Sequence, residues 1–353
     1  MNARPVIDAK TLQAAGPDPL GILASCAVVL NASAMVSVDP TAVEALAARL
    51  VADHAPPPVW DDELHYRGTG TDAVERTAGW VFALDALNFC FWAQEQDPTW
   101  RWRIAADGET HDGYMALAIA LRNAANAGVP VWDPAWQANV DDGVIARIFA
   151  PAPGSAPIPL LPQRVANLRE LGAAMLRLEP AGEPFTHFIA RAGGSAPALV
   201  GNVVEAFPSF NDVAAWNPGD GTPRQEIRFH KRAQILVSDL AGALGDDIPL
   251  RDVGHLTAFA DYKVPQVLRE LGILRYRDDL AGAIRRRELI PPGSREEIEI
   301  RAATIWGSEL LRQALAHHGR DFTAAEVDWL LWNQGQRLPE TVEPYHRTRT
   351  IYY

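Results

Sequence analysis

Residues 78–92 read AGWVFALDALNFCFW, a stretch in which nearly every side chain is apolar or aromatic. Because no proline interrupts it, the pattern predicts one buried helix from Ala78 to Trp92. At 3.6 residues per turn, one face of that helix carries Asp85, Asn88, Phe89 and Trp92. Aromatic rings beside a fixed carboxylate suit a flat heterocycle that offers N–H groups. The alternative is a core helix whose Asp85 and Asn88 satisfy neighbouring backbone groups.

Length and composition bound the class of protein. The chain has 353 residues, of which 48% are hydrophobic and 22% charged, as expected of a globular protein with a large core. The first residues lack a signal-peptide core, and no run is apolar enough to span a bilayer, so we expect a cytoplasmic protein. Two cysteines, Cys26 and Cys90, cannot form a disulfide framework. Neither CxxC nor HExxH spacing occurs, so no metal or other cofactor is expected.

The charged residues argue against a polyanionic partner. The formal net charge is −12, and long-range repulsion of this size opposes direct binding of nucleic acid. Among 32 basic residues only Lys10, Lys231 and Lys263 are lysines. Lysine is a compact charge whose pKa shifts when it is buried, whereas arginine is a planar fork. The scarcity of lysine therefore points to Lys231 and Lys263 as functional candidates.

Helix signals recur along the chain. Asp39 and Pro40 predict a helix over residues 40–53, with Asp39 as its N-cap. Asp72 and Glu75 resemble a capping box in front of the central helix, as do Ser294 and Glu297 in front of a long amphipathic one. Further helices are predicted over residues 111–128, 141–149 and 163–178, and a short strand or lid over residues 100–104.

The order of these elements indicates the fold class. No alternation of strands and helices of the βαβ kind is evident, so the sequence predicts a mainly α fold with few short strands. We expect one α-rich domain over residues 1–353. The proline-rich segment 150–162 is a candidate loop that would join two lobes of about 1–150 and 163–353.

Two segments in the second half carry candidate binding groups. FPSFNDVAAW, residues 207–216, places Phe207 and Phe210 around a turn and supplies Asp212; it predicts either a stacking wall or a core corner. His230, Lys231 and Arg232 follow at the start of a predicted helix. Backbone donors and cations at such a helix start suit a phosphate, and a solvated basic turn is the alternative.

Asp261 lies in the segment AFADYKVP, residues 258–265. Proline disfavours helical geometry in the residue before it, so Pro265 predicts that Val264 is not helical and that Asp261 lies at a break between segments. Carboxylates at such breaks can point into a cleft. An N-cap role is the competing interpretation, although a residue nearer Val264 would be better placed for it.

Several of these segments, in this order, resemble one known family. LDALNFCFW, FPSFNDVAAW, FHKRAQILVSDL, LTAFADYKVPQVLRELGILRY and the terminal HRTRTIYY are similar to the queuosine salvage protein family, the queuosine 5′-phosphate N-glycosidases. The resemblance extends from about residue 20 to the C-terminus. It implies a helical fold similar to the helix-hairpin-helix DNA glycosylases. It also implies hydrolysis of queuosine 5′-monophosphate to queuine and ribose 5-phosphate, with no metal or redox cofactor.

The resemblance gives the candidate residues their expected roles. Asp261 would stabilise the ribosyl cation and orient the water, with Lys231 or Lys263 keeping it ionised. The two parallel donors of the 7-deazaguanine edge would be read by Asp85 or Asp212. Rings that would stack on the base are Phe89, Trp92, Phe207 and Phe210. Candidates for the ribose and 5′-phosphate are His230, Tyr262, Lys263, Arg347 and Arg349.

Two other functions remain open at the level of sequence. A nucleic-acid base glycosylase would share the fold and the stacking, but it would need a continuous basic surface. A protein that sequesters or delivers a queuine-like base without chemistry is the other possibility. The free nucleotide is favoured because it requires only a local cationic pocket.

Overall fold

The computed structural model describes residues 7–92, 99–179, 182–219, 223–339 and 341–353. Its helices are α1 (Ala9–Ala15), α2 (Ile22–Ala32), α3 (Pro40–Ala52), α4 (Ala73–Ala86), α5 (Gly113–Asn126), α6 (Pro134–Asn139), α7 (Asp142–Ile148), α8 (Leu161–Leu178), α9 (Pro184–Ala190), α10 (Ala196–Ala206), α11 (Lys231–Leu244), α12 (Lys263–Glu270), α13 (Asp278–Arg285), α14 (Arg295–His317) and α15 (Ala324–Gln336).

Strands are few and short. They are β1 (Val36–Val38), β2 (Arg103–Ala106), β3 (Glu109–Asp112), β4 (Val213–Trp216), β5 (Gln225–Arg228) and β6 (Leu274–Tyr276). They form three antiparallel pairs, β1 with β6, β2 with β3, and β4 with β5. The prediction of a mainly α fold with few short strands is therefore confirmed.

The chain forms two compact units, each assembled from separate segments. The first unit comprises residues 1–58, 212–231 and 252–349, and the second comprises residues 59–211, 232–251 and 350–353. The proline-rich segment 150–162, where we expected a loop between lobes, lies wholly within the second unit. The chain passes from the first unit to the second three times, after residues 58, 231 and 349.

Helix α14 is the centre of the first unit. It is 23 residues long, and most of its side chains from Glu297 to Leu311 are buried. Helices α2, α3, α12 and α15 pack against it, as does strand β1. Because apolar residues face outward on several sides of α14, each neighbouring element buries its own apolar stripe against this one helix.

A buried carboxylate in α14 anchors the turn between α2 and β1. Glu299 is fully buried, and its Oε2 accepts hydrogen bonds from the Ser33 hydroxyl at 2.6 Å and the Met35 N–H at 2.7 Å. The Val36 N–H also donates to it, and Arg295 Nε donates to Oε1 at 2.8 Å. One acidic side chain thus satisfies several backbone donors that the turn would otherwise bury without partners.

In the second unit, α4 packs tightly against its neighbours at a glycine. A Cβ atom added at Gly79 would lie 2.4 Å from the Trp132 carbonyl oxygen and 2.8 Å from the Phe185 ring. Only glycine permits this approach. Helices α8 and α9 also pack against α4, and Phe82 contributes to an aromatic cluster with Phe185 and Phe188.

Most of the predicted helix starts are confirmed, with one difference in mechanism. Asp39 caps α3 by accepting the Thr41 N–H at 2.9 Å, and Asp141 caps α7. Asp72 does precede α4, but its side chain makes no capping hydrogen bond, so the predicted capping box is wrong. Glu75 instead accepts the N–H groups of Phe185 and Thr186, both at 2.9 Å. It therefore stabilises the start of α9, where a carboxylate complements the helix dipole.

Within the described residues, no helix combines the length and the low charge that crossing a bilayer requires.

We predict that Glu299→Ala lowers the free energy of unfolding by about 3 kcal/mol, because several buried donors lose their acceptor at once. Denaturant unfolding followed by tryptophan fluorescence would measure the loss. Glu288→Ala is the matched control, since Glu288 pairs with Arg286 at the surface and exposed pairs contribute less than about 1 kcal/mol. Equal stability of the two variants would contradict the anchoring role of Glu299.

Candidate active site

The central helix ends earlier than predicted. Helix α4 stops at Ala86, so the prediction of one helix through Trp92 is wrong, and Asn88, Phe89 and Trp92 do not lie on a helical face with Asp85. Arg232 Nη1 donates to the carbonyl oxygens of Asp85 and Ala86, at 2.9 and 2.8 Å. These carbonyls lie in the last turn, where α-helices leave acceptors without an intrahelical donor.

A second buried arginine holds the segment after α4. Arg164 is fully buried and donates to the carbonyl oxygens of Leu87, Phe89 and Cys90. Its guanidinium carbon also lies 4.3 Å from the centroid of the Phe89 ring. Because the carbonyls of this segment accept hydrogen bonds from a side chain, the segment can run buried without being helical.

The candidate base-binding groups that surround Arg232 belong to the second unit. Asp85 is fully buried, and its Oδ1 accepts the side-chain N–H of Asn88 at 3.1 Å. The Arg232 guanidinium carbon lies 5.2 Å from the Phe89 centroid and 4.6 Å from the Phe210 centroid. The structure thus brings a carboxylate, a carboxamide and two of the predicted rings together around one cation.

Phe207 and Trp92 are the other two predicted rings. Phe207 is fully buried and contacts Phe82, Phe188 and Phe210, with centroid distances of 6.2, 5.4 and 6.0 Å. Trp92 is 2% exposed. Ring-to-ring contacts of this kind are those of a core corner, the alternative that the sequence left open. Stacking of these rings on a ligand stays a prediction.

Asp212 and Arg301 form a buried ion pair in the first unit. Arg301 Nη1 donates to Oδ1 at 2.9 Å and Nη2 donates to Oδ2 at 2.5 Å, while the Lys231 N–H approaches Oδ2 at 3.3 Å. The Asp212 carbonyl accepts the N–H groups of Phe229 and His230. Both carboxylate oxygens of Asp212 are therefore engaged, and reading a base edge would require this ion pair to open.

Asp261 lies at a break between segments, as predicted, and it also caps a helix. Its Oδ1 accepts the N–H groups of Lys263 and Val264, both at 2.8 Å, and α12 begins at Lys263. The expectation that Val264 is not helical is wrong. Pro265 falls in the first helical turn, where its missing N–H removes no hydrogen bond. Among the described residues, no donor hydrogen-bonds to Oδ2 of Asp261.

The charge of Asp261 is set by two opposing effects. Burial raises its pKa above the ordinary value, while the positive charge of Lys231 and the two backbone N–H groups lower it. The lysine acts in the predicted direction, but burial is the larger effect, so the pKa of Asp261 is raised overall. Asp261 therefore holds a proton to higher pH than an exposed aspartate does.

His230 lies immediately before helix α11, which begins at Lys231 as predicted. Its backbone has a positive φ of 46°, a conformation uncommon for residues other than glycine. Burial lowers the pKa of His230, which favours the neutral imidazole. A neutral ring works against the phosphate-binding role predicted for it. The first N–H of α11 points to Asp212, as described above.

Residues 344–349 of the C-terminal tail belong to the first unit. The Arg347 carbonyl oxygen accepts the Ile290 N–H at 2.8 Å, and Arg347 and Thr348 are buried. Burial lowers the pKa of His346 to about 3, so this histidine is neutral. Arg349 is only partly buried. Of the tail residues, Arg347 and Arg349 keep the positive charge that a phosphate requires.

Tyr345 brings the tail to the start of α12. The Tyr262 and Tyr345 ring centroids lie 4.8 Å apart, and Lys263 Nζ lies 5.4 Å from the Tyr345 centroid. Tyr262 and Lys263, which follow Asp261 directly in the chain, thus lie next to Tyr345 of the tail.

Three buried ionisable residues near these groups were not predicted from the sequence: Arg164, Arg301 and Asp328. Arg301 and Asp328 each interrupt an apolar helical stripe, in IEIRAATIW and EVDWLLW. A lone charge on such a stripe signals a specific buried partner. Sequence indicates that a partner exists, but it does not indicate which distant residue provides it.

Comparison with known proteins identifies the family. The family model for the queuosine salvage protein matches residues 64–353. This chain belongs to the queuosine salvage protein family. A relative from Sphaerobacter thermophilus, named queuosine 5′-phosphate N-glycosylase/hydrolase, is 48% identical over 338 residues, which cover 95% of this chain and 98% of that protein.

More distant queuosine salvage relatives carry the same name. The protein of Mus musculus is 35% identical over 82% of this chain and 85% of its own length. The protein of Schizosaccharomyces pombe is 30% identical over 78% of this chain and 83% of its own length. The family resemblance read from the separated motifs is therefore confirmed.

We predict that Arg301→Met destabilises the protein by about 3–5 kcal/mol, because it leaves Asp212 as an uncompensated buried charge. Thermal and denaturant unfolding would measure the change. Arg277→Met is the control, since Arg277 and Asp279 are both largely exposed and their ion pair contributes about 0–1 kcal/mol. A loss for Arg301→Met no larger than that of the control would show that Asp212 does not depend on Arg301.

Proposed function

We propose that this chain hydrolyses the N-glycosidic bond of queuosine 5′-phosphate and releases queuine and ribose 5-phosphate, so that queuine can be reused in tRNA modification. The observation that carries the proposal is the 48% identity to the Sphaerobacter thermophilus N-glycosylase/hydrolase over 95% of this chain and 98% of that protein. The family match over residues 64–353 supports it.

Asp261 is the proposed catalytic carboxylate. Water attacks the anomeric carbon, the bond to the base breaks, and the electron pair of that bond leaves with the base. A carboxylate beside the anomeric carbon stabilises the positive charge that develops on the sugar and accepts a proton from the water. The held Oδ1 of Asp261 supports this role, because two backbone donors fix the orientation of the group before substrate arrives.

The leaving base makes this electrostatic role important. Queuine is a 7-deazapurine, so carbon replaces the N7 atom at which a purine can be protonated as it leaves. More of the barrier must then be lowered at the sugar. One preorganised group contributes about 3–4 kcal/mol to transition-state stabilisation, or about 10²–10³ in rate. The proton taken from the water returns to the departing base, so that the base leaves as queuine and the sugar as ribose 5-phosphate.

Lys231 is proposed to keep Asp261 anionic when the site is occupied. Its charge lowers the pKa of Asp261 against the effect of burial. Lys231 is itself 5% exposed, and a desolvated ammonium interacts strongly with a nearby carboxylate. The substrate would remove water from both groups and strengthen this interaction.

For the base edge we favour Asp85 over Asp212. Asp212 is engaged by Arg301 through both oxygens, whereas Asp85 accepts a neutral donor, the Asn88 amide. Opening a buried ion pair leaves an uncompensated charge, so Asp212 would bind the paired N–H groups of a deazaguanine only at a high cost. Stacking on the base is proposed for Phe89, Trp92, Phe207 and Phe210.

The ribose and 5′-phosphate are assigned to residues that keep a charge or a hydroxyl group. Tyr262, Lys263, Arg347 and Arg349 remain the proposed contacts, and their clustering after Asp261 supports this choice for Tyr262 and Lys263. His230 is the weakest candidate, because burial favours its neutral form.

Three further expectations accompany this function. The fold is proposed to resemble the helix-hairpin-helix DNA glycosylases, and the protein is proposed to act in the cytoplasm on a free nucleotide without binding nucleic acid or membrane. The net charge of −12 supports a free nucleotide over tRNA.

We predict that Asp261→Asn lowers kcat by about 10²–10³ while KM changes little, because asparagine keeps the oxygen that caps α12 but loses the negative charge. Mass spectrometry of queuine released from queuosine 5′-monophosphate would measure turnover. Asp252→Asn is the control, an exposed position with a positive φ that asparagine tolerates.

The same assay separates the alternatives. Intact nucleotide bound at one equivalent, with no queuine released, would replace the hydrolase by a binding protein. Faster release from a queuosine-containing anticodon stem-loop than from the nucleotide would favour a nucleic-acid glycosylase. Full activity of Asp261→Asn would remove the proposed role of Asp261.

We predict that kcat/KM falls on the acid side at a pH above the ordinary aspartate pKa. Burial raises the pKa of Asp261, so the carboxylate is protonated and inactive until the pH exceeds that raised value. A pH–rate profile of the wild-type chain would show the limb, and residual activity of Asp261→Asn would lack it. An acid limb at or below the ordinary aspartate value would contradict the assignment.

A further inference from the structure

A second buried carboxylate stands next to the segment that carries Asp261. Asp328, on α15, is 4% exposed, and its Oδ1 accepts the Phe259 N–H at 2.8 Å. Phe259 precedes Asp261 by two residues. The proposed reaction does not use Asp328 directly, yet a buried acid on an otherwise apolar helix face is costly unless it has a specific role.

Side chains from two helices hold this segment at consecutive residues. Asp328 of α15 holds the Phe259 N–H, and Arg301 Nε of α14 donates to the Ala260 carbonyl at 3.1 Å. Asp261 then anchors itself to the first turn of α12. Because the three contacts follow one another along the chain, a shift of Phe259 is transmitted directly to the Asp261 carboxylate.

The two carboxylates also differ in their electrostatic surroundings. Burial raises the pKa of Asp328 well above its ordinary value, and the negative charge of Asp261 raises it further. For Asp261, the effect of burial on the pKa is opposed first by the charge of Lys231 and then by two backbone donors. For Asp328 it is opposed first by one backbone donor and then by the charge of Lys231. When two nearby carboxylic acids have unequal surroundings, the acid whose anion is better stabilised loses its proton first.

We propose that Asp328 is the positioning residue for Asp261. As a neutral acid it holds the Phe259 N–H, and it does not compete with the Asp261 carboxylate for the positive charge of Lys231. This inference rests on the proposed glycosidase function. Ionisation of Asp328 places a second negative charge near Lys231 and weakens the stabilisation that Lys231 gives to the Asp261 carboxylate. Since that ionisation occurs as the pH rises, it produces an alkaline limb in the turnover profile.

The other charged groups near α15 come from the elements that pack against it. Helix α12 supplies Lys263, helix α14 supplies Arg301, and the short 3₁₀ turn Val253–His255 supplies His255. Lys263 points to Tyr345 and Arg301 binds Asp212, and both stay charged through neutral pH. His255 is the histidine among these three residues, so its substitution serves as a separate control.

The test uses Asp328→Asn, which mimics the neutral acid and keeps an oxygen for the Phe259 N–H. We expect its alkaline limb to move upward by about one pH unit or more, or to vanish, because the titrating group is gone. Asp328→Ala, which loses the anchor, should lower kcat by about 10²-fold with little change in KM. His255→Gln should leave the alkaline limb where it is in the wild-type chain.

A measurement independent of turnover completes the test. In protein labelled with ¹³C at the aspartate carboxyl carbons, one resonance should titrate far above the ordinary aspartate range. It should disappear in Asp328→Asn and persist in Asp321→Asn, which replaces an exposed acid three residues before the start of α15. This readout also decides the case if Asp328→Ala fails to fold.

The outcomes separate the two claims. If the wild-type chain turns over substrate, the proposed function stands. If the pH profile and the carboxyl resonances of Asp328→Asn then match those of the wild-type chain, the inference about Asp328 is overturned. Absence of wild-type turnover would remove the proposed function, and the carboxyl resonance would still show whether Asp328 holds a proton. An alkaline limb that moves in His255→Gln instead would also overturn the role of Asp328.

Discussion

Buried guanidinium groups that bind backbone carbonyls are the interaction on which this structure depends. Arg164, Arg232 and Arg301 are each 2% exposed or less, and each donates to carbonyl oxygens where a helix ends or a segment breaks. A guanidinium has five N–H donors in a rigid plane and can serve several acceptors at once, which an ammonium group cannot do with the same geometry. The strong preference of the chain for arginine over lysine has a structural cause at these positions.

The sequence was informative where the signal is local. Asp39, Asp141 and Ser294 cap the helices that follow them, because an N-cap requires only a side chain and the next two or three N–H groups. The break at Asp261 was predicted from Pro265, although this proline lies inside α12 and not before it. Separated motifs also identified the family, since their order is a property of the whole sequence.

The sequence was uninformative where the partner is distant. Leu87 to Trp92 continues the apolar pattern of α4, and nothing within it shows that the helix has ended. The end is set by Arg164 and Arg232, which lie more than 70 residues away and compete successfully for the carbonyls. The roles of Asp212 and Asp328 were hidden in the same way, because Arg301 and Phe259 are far from them in the chain. Tertiary contacts thus decide between outcomes that local patterns leave equal.

The segmental construction of the first unit constrains how the protein is made. Strand β1 pairs with β6, and α2 and α3 bury their apolar faces on α14, so residues 1–58 depend on residues synthesised more than 200 positions later. At a translation rate of about 5–20 residues per second, the N-terminal segments wait for ten seconds or more, as an order of magnitude, before their partners leave the ribosome. During that interval their apolar surfaces are exposed, and nascent chains of this protein should therefore be clients of ribosome-associated chaperones.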